Sequence, residues 1–244
     1  MGFARFILLI GALMLAAPAA AHASLTPHTA VYKVKIKVVS GRLHTELRRT
    51  ADGYVANHVI MPTGMARLIS RGKMDVRSEF VNTANGVRPI EYESIDTIRD
   101  DPHVDLTFDW EKHQATGTVD GSPVTYPLTG ITYDSVSIQY ALMQDLLNGG
   151  VGAHYSLFDL DETKHVYASN IGTKQVSTKA GKFTAVGIQH QKEGSSRITT
   201  LWCVEALGYL PVIIEQHRKG KLNFRATLVQ YTPTAQNQAN TSPE

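Results

Sequence analysis

Alternation of apolar and polar side chains with a period of two constrains this chain more than any other feature. Tyr32, Val34, Ile36 and Val38 alternate with Lys33, Lys35 and Lys37. Met74, Val76, Ser78 and Phe80 alternate with Lys73, Asp75, Arg77 and Glu79. The same pattern sets Val104, Leu106, Phe108 and Trp110 against Asp105, Thr107, Asp109 and Glu111, and Ile198, Thr200, Trp202 and Val204 against Arg197, Thr199 and Glu205. Successive side chains of a strand point to opposite faces, so each run describes a strand with one buried and one wet face. Further strands are predicted at 54–61, 87–98, 114–119, 153–160, 164–171, 182–192, 210–217 and 221–231. Asp52-Gly53, Asn85-Gly86 and Asp120-Gly121 are hairpin dipeptides that accept φ > 0. Many strands with short connections predict an antiparallel meander, not a parallel α/β sheet.

One helix interrupts this pattern, from about Ser135 to Asn148. Asp134 or Ser135 can cap its start, and Gly149-Gly150 ends it. Val136, Tyr140, Met143 and Leu147 make one apolar stripe, which Ile138, Leu142 and Leu146 widen. A helix apolar over so much of its surface must be largely covered. The expected fold is therefore mainly β: a curved antiparallel sheet forming an incomplete or closed barrel around one central helix. A single domain is expected over 24–231, followed by a disordered polar tail over 232–244.

The first 23 residues have a different character. Arg5, the apolar run Phe6–Ala17, Pro18 and the small-x-small site Ala21-His22-Ala23 match a secretory signal peptide cleaved after Ala23. The run is too short to span a bilayer, which takes roughly 20 residues. Export to the periplasm is the expectation. The 43% hydrophobic content supports a sizeable core, and a net charge of +2 lacks the basic excess of a nucleic-acid binder. A single cysteine, Cys203, excludes an intramolecular disulfide and a cysteine-based zinc site. Between Trp202 and Val204 it reads as a buried hydrophobe.

Chemical motifs are sparse. There is no G-x-S-x-G elbow, H-E-x-x-H, P-loop or G-x-G-x-x-G. His103, Asp105 and Asp109 share a strand face that His113 could approach, a donor set for a metal or a hydrolytic site, but an ordinary polar face is the simpler account. Asp159-Leu160-Asp161-Glu162 lacks the glycine and spacing of an EF-hand and reads as a solvated turn. Lys33, Lys35 and Lys37 form a basic stripe that could meet an anionic headgroup, or simply guard a strand edge. No cofactor, metal or catalytic residue is indicated. The segment Met61–Arg71 breaks the alternation and mixes flexible apolar groups with Arg67 and Arg71. On the rim of a curved sheet it would serve as a lid or lipid-facing loop, since methionine adapts to varied apolar surfaces. A transmembrane barrel is disfavoured, because each clean strand pairs an apolar face with a charged one.

Several separated segments carry a resemblance. They are Ala30-Val31-Tyr32, Gly86-Val87-Arg88-Pro89-Ile90-Glu91-Tyr92, Phe108-Asp109-Trp110, Asp134 to Tyr140, Thr178 to Phe183, and Thr200-Leu201-Trp202 followed by Leu210-Pro211-Val212. In this order they resemble the family of exported bacterial proteins known as domain of unknown function 3108, over approximately residues 28–231. The resemblance implies an envelope location and a β-rich fold, and it brings no catalytic residue. In architectural terms, Trp110 and Trp202 are large core pieces whose indole N–H groups need partners, and Asp109 is a candidate acceptor.

These readings converge on a noncatalytic periplasmic protein that binds an apolar or amphipathic envelope ligand, a lipid or a lipoprotein acyl chain. By fold analogy alone it is similar to periplasmic lipoprotein carriers, a weak warrant for function. Met61, Met65, Leu68, Tyr140 and Met143 are the expected ligand-binding residues. Membrane contact would be peripheral. The alternative is a structural module with a full core that docks on another envelope protein.

Overall fold

A computed structural model describes residues 24–36, 39–152, 154–159 and 162–234. The leader expected over 1–23 lies outside these residues, as do Lys37, Val38 and the chain beyond Thr234. The strands are β1 His28–Ile36, β2 Val39–Arg49, β3 Tyr54–Pro62, β4 Met74–Thr83, β5 Gly86–Asp96, β6 Asp101–Asp109, β7 Gln114–Val119, β8 Ser122–Pro127, β9 Thr132–Tyr133, β10 His154–Asp159, β11 Glu162–Thr178, β12 Gly181–Lys192, β13 Arg197–Val204, β14 Leu210–Arg218 and β15 Lys221–Pro233. Two helices interrupt them: α1, Ala66–Ile69, between β3 and β4, and α2, Ser137–Leu147, between β9 and β10.

All fifteen strands form one sheet, in the order β8 to β1, then β15 down to β9. The protein is thus two meanders joined where the first strand pairs with the last. Tyr32 faces Leu228, Val34 faces Ala226, and the apolar positions of both strands fall on the core side. Thr232 and Pro233, assigned to the tail from composition, pair with Thr29 and His28 and extend β15. Type I′ geometry closes two hairpins: Asp120-Gly121 and Lys219-Gly220 each supply two consecutive positive φ angles.

The sheet is curved and its ladder does not close. β8 and β9 are its terminal strands, yet Tyr126 on β8 meets Phe158 on β10 edge-on, with ring centroids 4.9 Å apart. The two flanks therefore face each other across a seam bridged by side chains. Val104, Leu106, Phe108, Ala115 and Leu128 join Phe158 in the cluster that fills part of this seam. The outward positions of β4, β5 and β6 carry charge instead: Arg77 pairs with Glu79 and Glu91, and His103 stands 3.5 Å from Glu93. Such a face suits water and not hydrocarbon.

No residue of α2 is exposed. Tyr140 is fully buried, stacked on Phe80 at 5.2 Å between centroids and 3.4 Å from His58 Nε2. Even the polar sector of the helix is covered and satisfied: Asn82 donates to Gln144 Oε1 at 2.7 Å. The start of α2 is fixed by Asp134, whose Oδ1 accepts the N–H groups of Val136 and Ser137 at 2.8 Å each. Its Oδ2 accepts the Ser78 hydroxyl at 2.7 Å, which ties the helix to β4. Burial is the largest influence on the Asp134 carboxyl and holds its pKa above the ordinary value, against the hydrogen bonds that lower it.

Candidate functional site

The antiparallel register brings three connections to one end of the curved sheet. Ile36 lies opposite Val39 and Phe224, and Pro62 lies opposite Gly41. The β1–β2 tip, the β14–β15 hairpin and the β3–α1–β4 connection are therefore neighbours. We refer to this as the α1 end. Among the described residues eight large apolar side chains are exposed, and six of them sit here: Ile36, Val39, Met61, Met65, Leu68 and Leu222. Ile36 and Val39 lie on the core-facing parity of their strands, beyond Val34 and Gly41. They lack cover because the strands run past the packed interior.

Local sequence explains α1. Pro62 ends β3, Gly64 takes φ 58°, and the chain then makes a single helical turn. Ala66, the small residue of the turn, faces inward and is buried. Met65 and Leu68 are left 77% and 78% exposed. Gly72 follows, where a Cβ would stand only 2.3 Å from the Thr97 carbonyl oxygen, so the connection presses directly on the β5–β6 turn.

A cavity of about 240 Å³ opens in the seam at this same end. Met74, Tyr92, Val104, Leu157 and Phe158 give it apolar walls, while Arg99 and Asp159 stand among its polar groups. Those charges are already compensated. Arg99 is held by Asp96 at 2.6 Å and Asp101 at 2.8 Å, and Asp159 by Lys192 and Lys164. Lysine pairing draws the Asp159 carboxyl below its usual pKa in spite of partial burial, which acts the other way and is the largest single influence. Tyr92 shares a hydrogen bond with Ser135 at 3.0 Å, on the approach to α2. Met74 connects the two features: it lines the cavity, begins β4 and pairs with Ile60 next to Met61.

The five side chains expected to form one site divide into two groups. Met61, Met65 and Leu68 are exposed at the α1 end, whereas Tyr140 and Met143 are buried within the core. Sequence reasoning missed the seam residues Met74, Tyr92, Leu157 and Phe158. The alternation marked Met74 as an inward residue but carried no sign that β10 would face β4 and β5.

The other candidates are placed as follows. His103 and Asp105 point outward on β6, Asp109 is half-buried, and His113 occupies a turn at φ 52°. Asp109 is committed to Lys112, accepting its Nζ at 2.8 Å and its N–H at 2.9 Å. It does not serve the tryptophans. Trp110 Nε1 donates to the Pro89 carbonyl at 2.6 Å, and buried Trp202 Nε1 has no acceptor among the described residues beneath Lys174, whose Nζ lies 3.6 Å from its ring centroid. Among the described residues no group of three or more His, Cys, Asp or Glu side chains could hold a metal ion. Buried Cys203 has its thiol pKa pushed up to about 12 by desolvation, which keeps it in the unreactive protonated form. Among the described residues no helix is long and apolar enough to cross a membrane.

The architecture is that of an open, rolled sheet, antiparallel throughout except for the parallel β9–β10 pair on either side of α2. It is similar to a solved β-barrel-like protein of domain of unknown function DUF1849 from Brucella abortus, with a TM-score of 0.58 and 12% identity over 87% of this chain and 99% of that one. At that identity the likeness concerns the fold. The family model described as protein of unknown function (DUF3108) matches residues 29–227, and the chain belongs to that family. No curated protein matches the sequence.

Proposed function

We propose that this protein is a noncatalytic carrier or holder of an apolar or amphipathic envelope ligand, a lipid or an acyl chain, and that it works in the periplasm. In this reading the sheet is an incomplete barrel wrapped around α2, with its interior filled and its ligand taken at the seam of the α1 end. The observation that carries it is the cavity beside Met74, apolar on one part of its wall and polar on the rest, continuous in sequence and register with the exposed apolar side chains of that end. Exposed apolar groups gathered in one place are the usual mark of a binding surface. Magnitude narrows the ligand. A volume of about 240 Å³ falls short of the roughly 300 Å³ of a drug-sized pocket, so it suits the end of one chain, with the headgroup outside. The periplasmic assignment rests on the character of Met1–Ala23.

Native mass spectrometry of the protein isolated from its producing cells, followed by solvent extraction, tests this. The expected result is a stoichiometric lipid or fatty-acid adduct, reduced by Leu157→Gln. A bare mass combined with a melting temperature unmoved by lysophospholipids would abandon the carrier reading for a docking module.

A further inference from the structure

We propose that the α1 end docks on the surface of an anionic lipid bilayer. Three stretches meet there: 31–44, 59–75 and 215–227. They contain Lys33, Lys35, Arg42, Arg67, Arg71, Lys73, Arg218, Lys219, Lys221 and Arg225 among their described residues. Their only carboxylates are Asp75 and Glu215. Each is already engaged, by Lys73 at 2.7 Å and by Arg225 at 3.3 Å. The remaining cations share this end with Met65, Leu68, Ile36 and Val39. This is the composition of an interfacial anchor, in which apolar tips enter the acyl boundary and lysines and arginines meet the headgroups.

The geometry also gives the headgroups a place to sit. On the outer side of β1 and β15, Lys35 lies opposite Arg225 and Lys33 opposite Thr227. These four and Asn223 line a groove of about 430 Å³ that reaches Leu222 at the α1 end. A phosphate there would receive Lys33 and Lys35, and the described groove lining contains no carboxylate. On the seam side of the same end, away from β1 and β15 in the ladder, stand Asp100, Asp101 and Asp120, with Asp101 held by Arg99, so the protein tilts with the basic sector toward the bilayer. The inference rests on the ligand reading only in sharing this end, and the two fail separately.

The test is cosedimentation of the isolated protein with vesicles of phosphatidylcholine alone or mixed with phosphatidylglycerol. Binding is expected to be about tenfold tighter to the anionic vesicles and to weaken steeply at about 1 M salt. Met65→Ser combined with Leu68→Ser, and separately Lys33→Gln combined with Lys35→Gln, should each lower the bound fraction about tenfold with an unchanged melting temperature. Equal binding to both vesicle types, no binding, or full binding by the variants would overturn the proposal. So would concentration-dependent dimerisation abolished by Met65→Ser and Leu68→Ser, which would make a second copy the occupant. Docking that survives Leu157→Gln while the adduct is lost confirms that the two roles are separable.

Discussion

Met143 and Met65 belong to one residue type and to opposite regions of the molecule. Met143 is 2% exposed on α2, within a cluster that includes Tyr140, Phe80 and Tyr32. Met65 is 77% exposed on the turn before α1. The region around α2 is close-packed, and its polar groups are paired down to Gln144 and Asp134. The α1 end leaves apolar side chains in water in a stretch where cations outnumber carboxylates. Packing at native density is what stability requires, whereas an uncovered apolar rim is a cost that a binding role explains. The contrast teaches that flexible apolar character does not identify a site; the neighbours of the side chain do.

The comparison breaks first if the α2 region proves soft. Tyr140→Ala removes a fully buried ring stacked on Phe80 and should cost ~3–5 kcal/mol in a denaturant titration. A loss under about 1 kcal/mol would mean that the interior is not packed as described. Next in size is Asp134→Ala. It deletes the acceptor of two N–H groups and leaves the Ser78 hydroxyl buried without a partner, for about 2–4 kcal/mol. Asp134→Asn should cost much less. It keeps an acceptor and removes a carboxylate whose charge burial already disfavours.

Acid should weaken the interior, through His58 beside Tyr140 and His190 on β12. Burial lowers the pKa of His58 and of His190 from 6.5 to about 4, so the unfolded chain takes up protons first as the pH falls. Their contribution is complete above the unfolded value and is lost progressively between about pH 6.5 and 4. The melting temperature should drop by roughly 7–15 °C from pH 7 to pH 5, a slope that His58→Gln with His190→Gln flattens. The smallest effect belongs to the other region. Met65→Ser with Leu68→Ser should change stability by no more than about 0.5 kcal/mol, because neither side chain is covered. A larger loss would show that α1 closes the core and would blur the contrast.

Most strands and the long helix could be read from the chain, because a half-buried strand and a covered helix write their periods into local sequence. β2 escaped that reading. Its inward row runs Gly41, Leu43, Thr45, Leu47, and its outward row carries Arg42, His44, Glu46 and Arg48. So weak an apolar rhythm gives no clear strand signal. β8 was hidden by Pro123 and Pro127, which suit only a terminal strand. The pairing of β1 with β15 and the approach of β10 to β8 leave no local trace at all, since they join residues distant in sequence. For that reason the seam cavity was not foreseen. At the α1 end, Met61, Met65 and Leu68 stood out because they interrupt the alternation. Ile36 and Val38 read as core because they continue it; only the third dimension reveals that β1 outruns its cover at Ile36.

The methionines themselves provide the most direct test. Among the described residues Met61, Met65 and Met74 belong to the α1 end and Met143 to the interior, so methyl-labelled methionine gives four separate reporters. In a titration with a lysophospholipid below its micelle concentration, the account predicts saturable shifts at Met61, Met65 and Met74, with Met143 unmoved. Shifts led by Met143, or none at Met74, would contradict a ligand site at the α1 end.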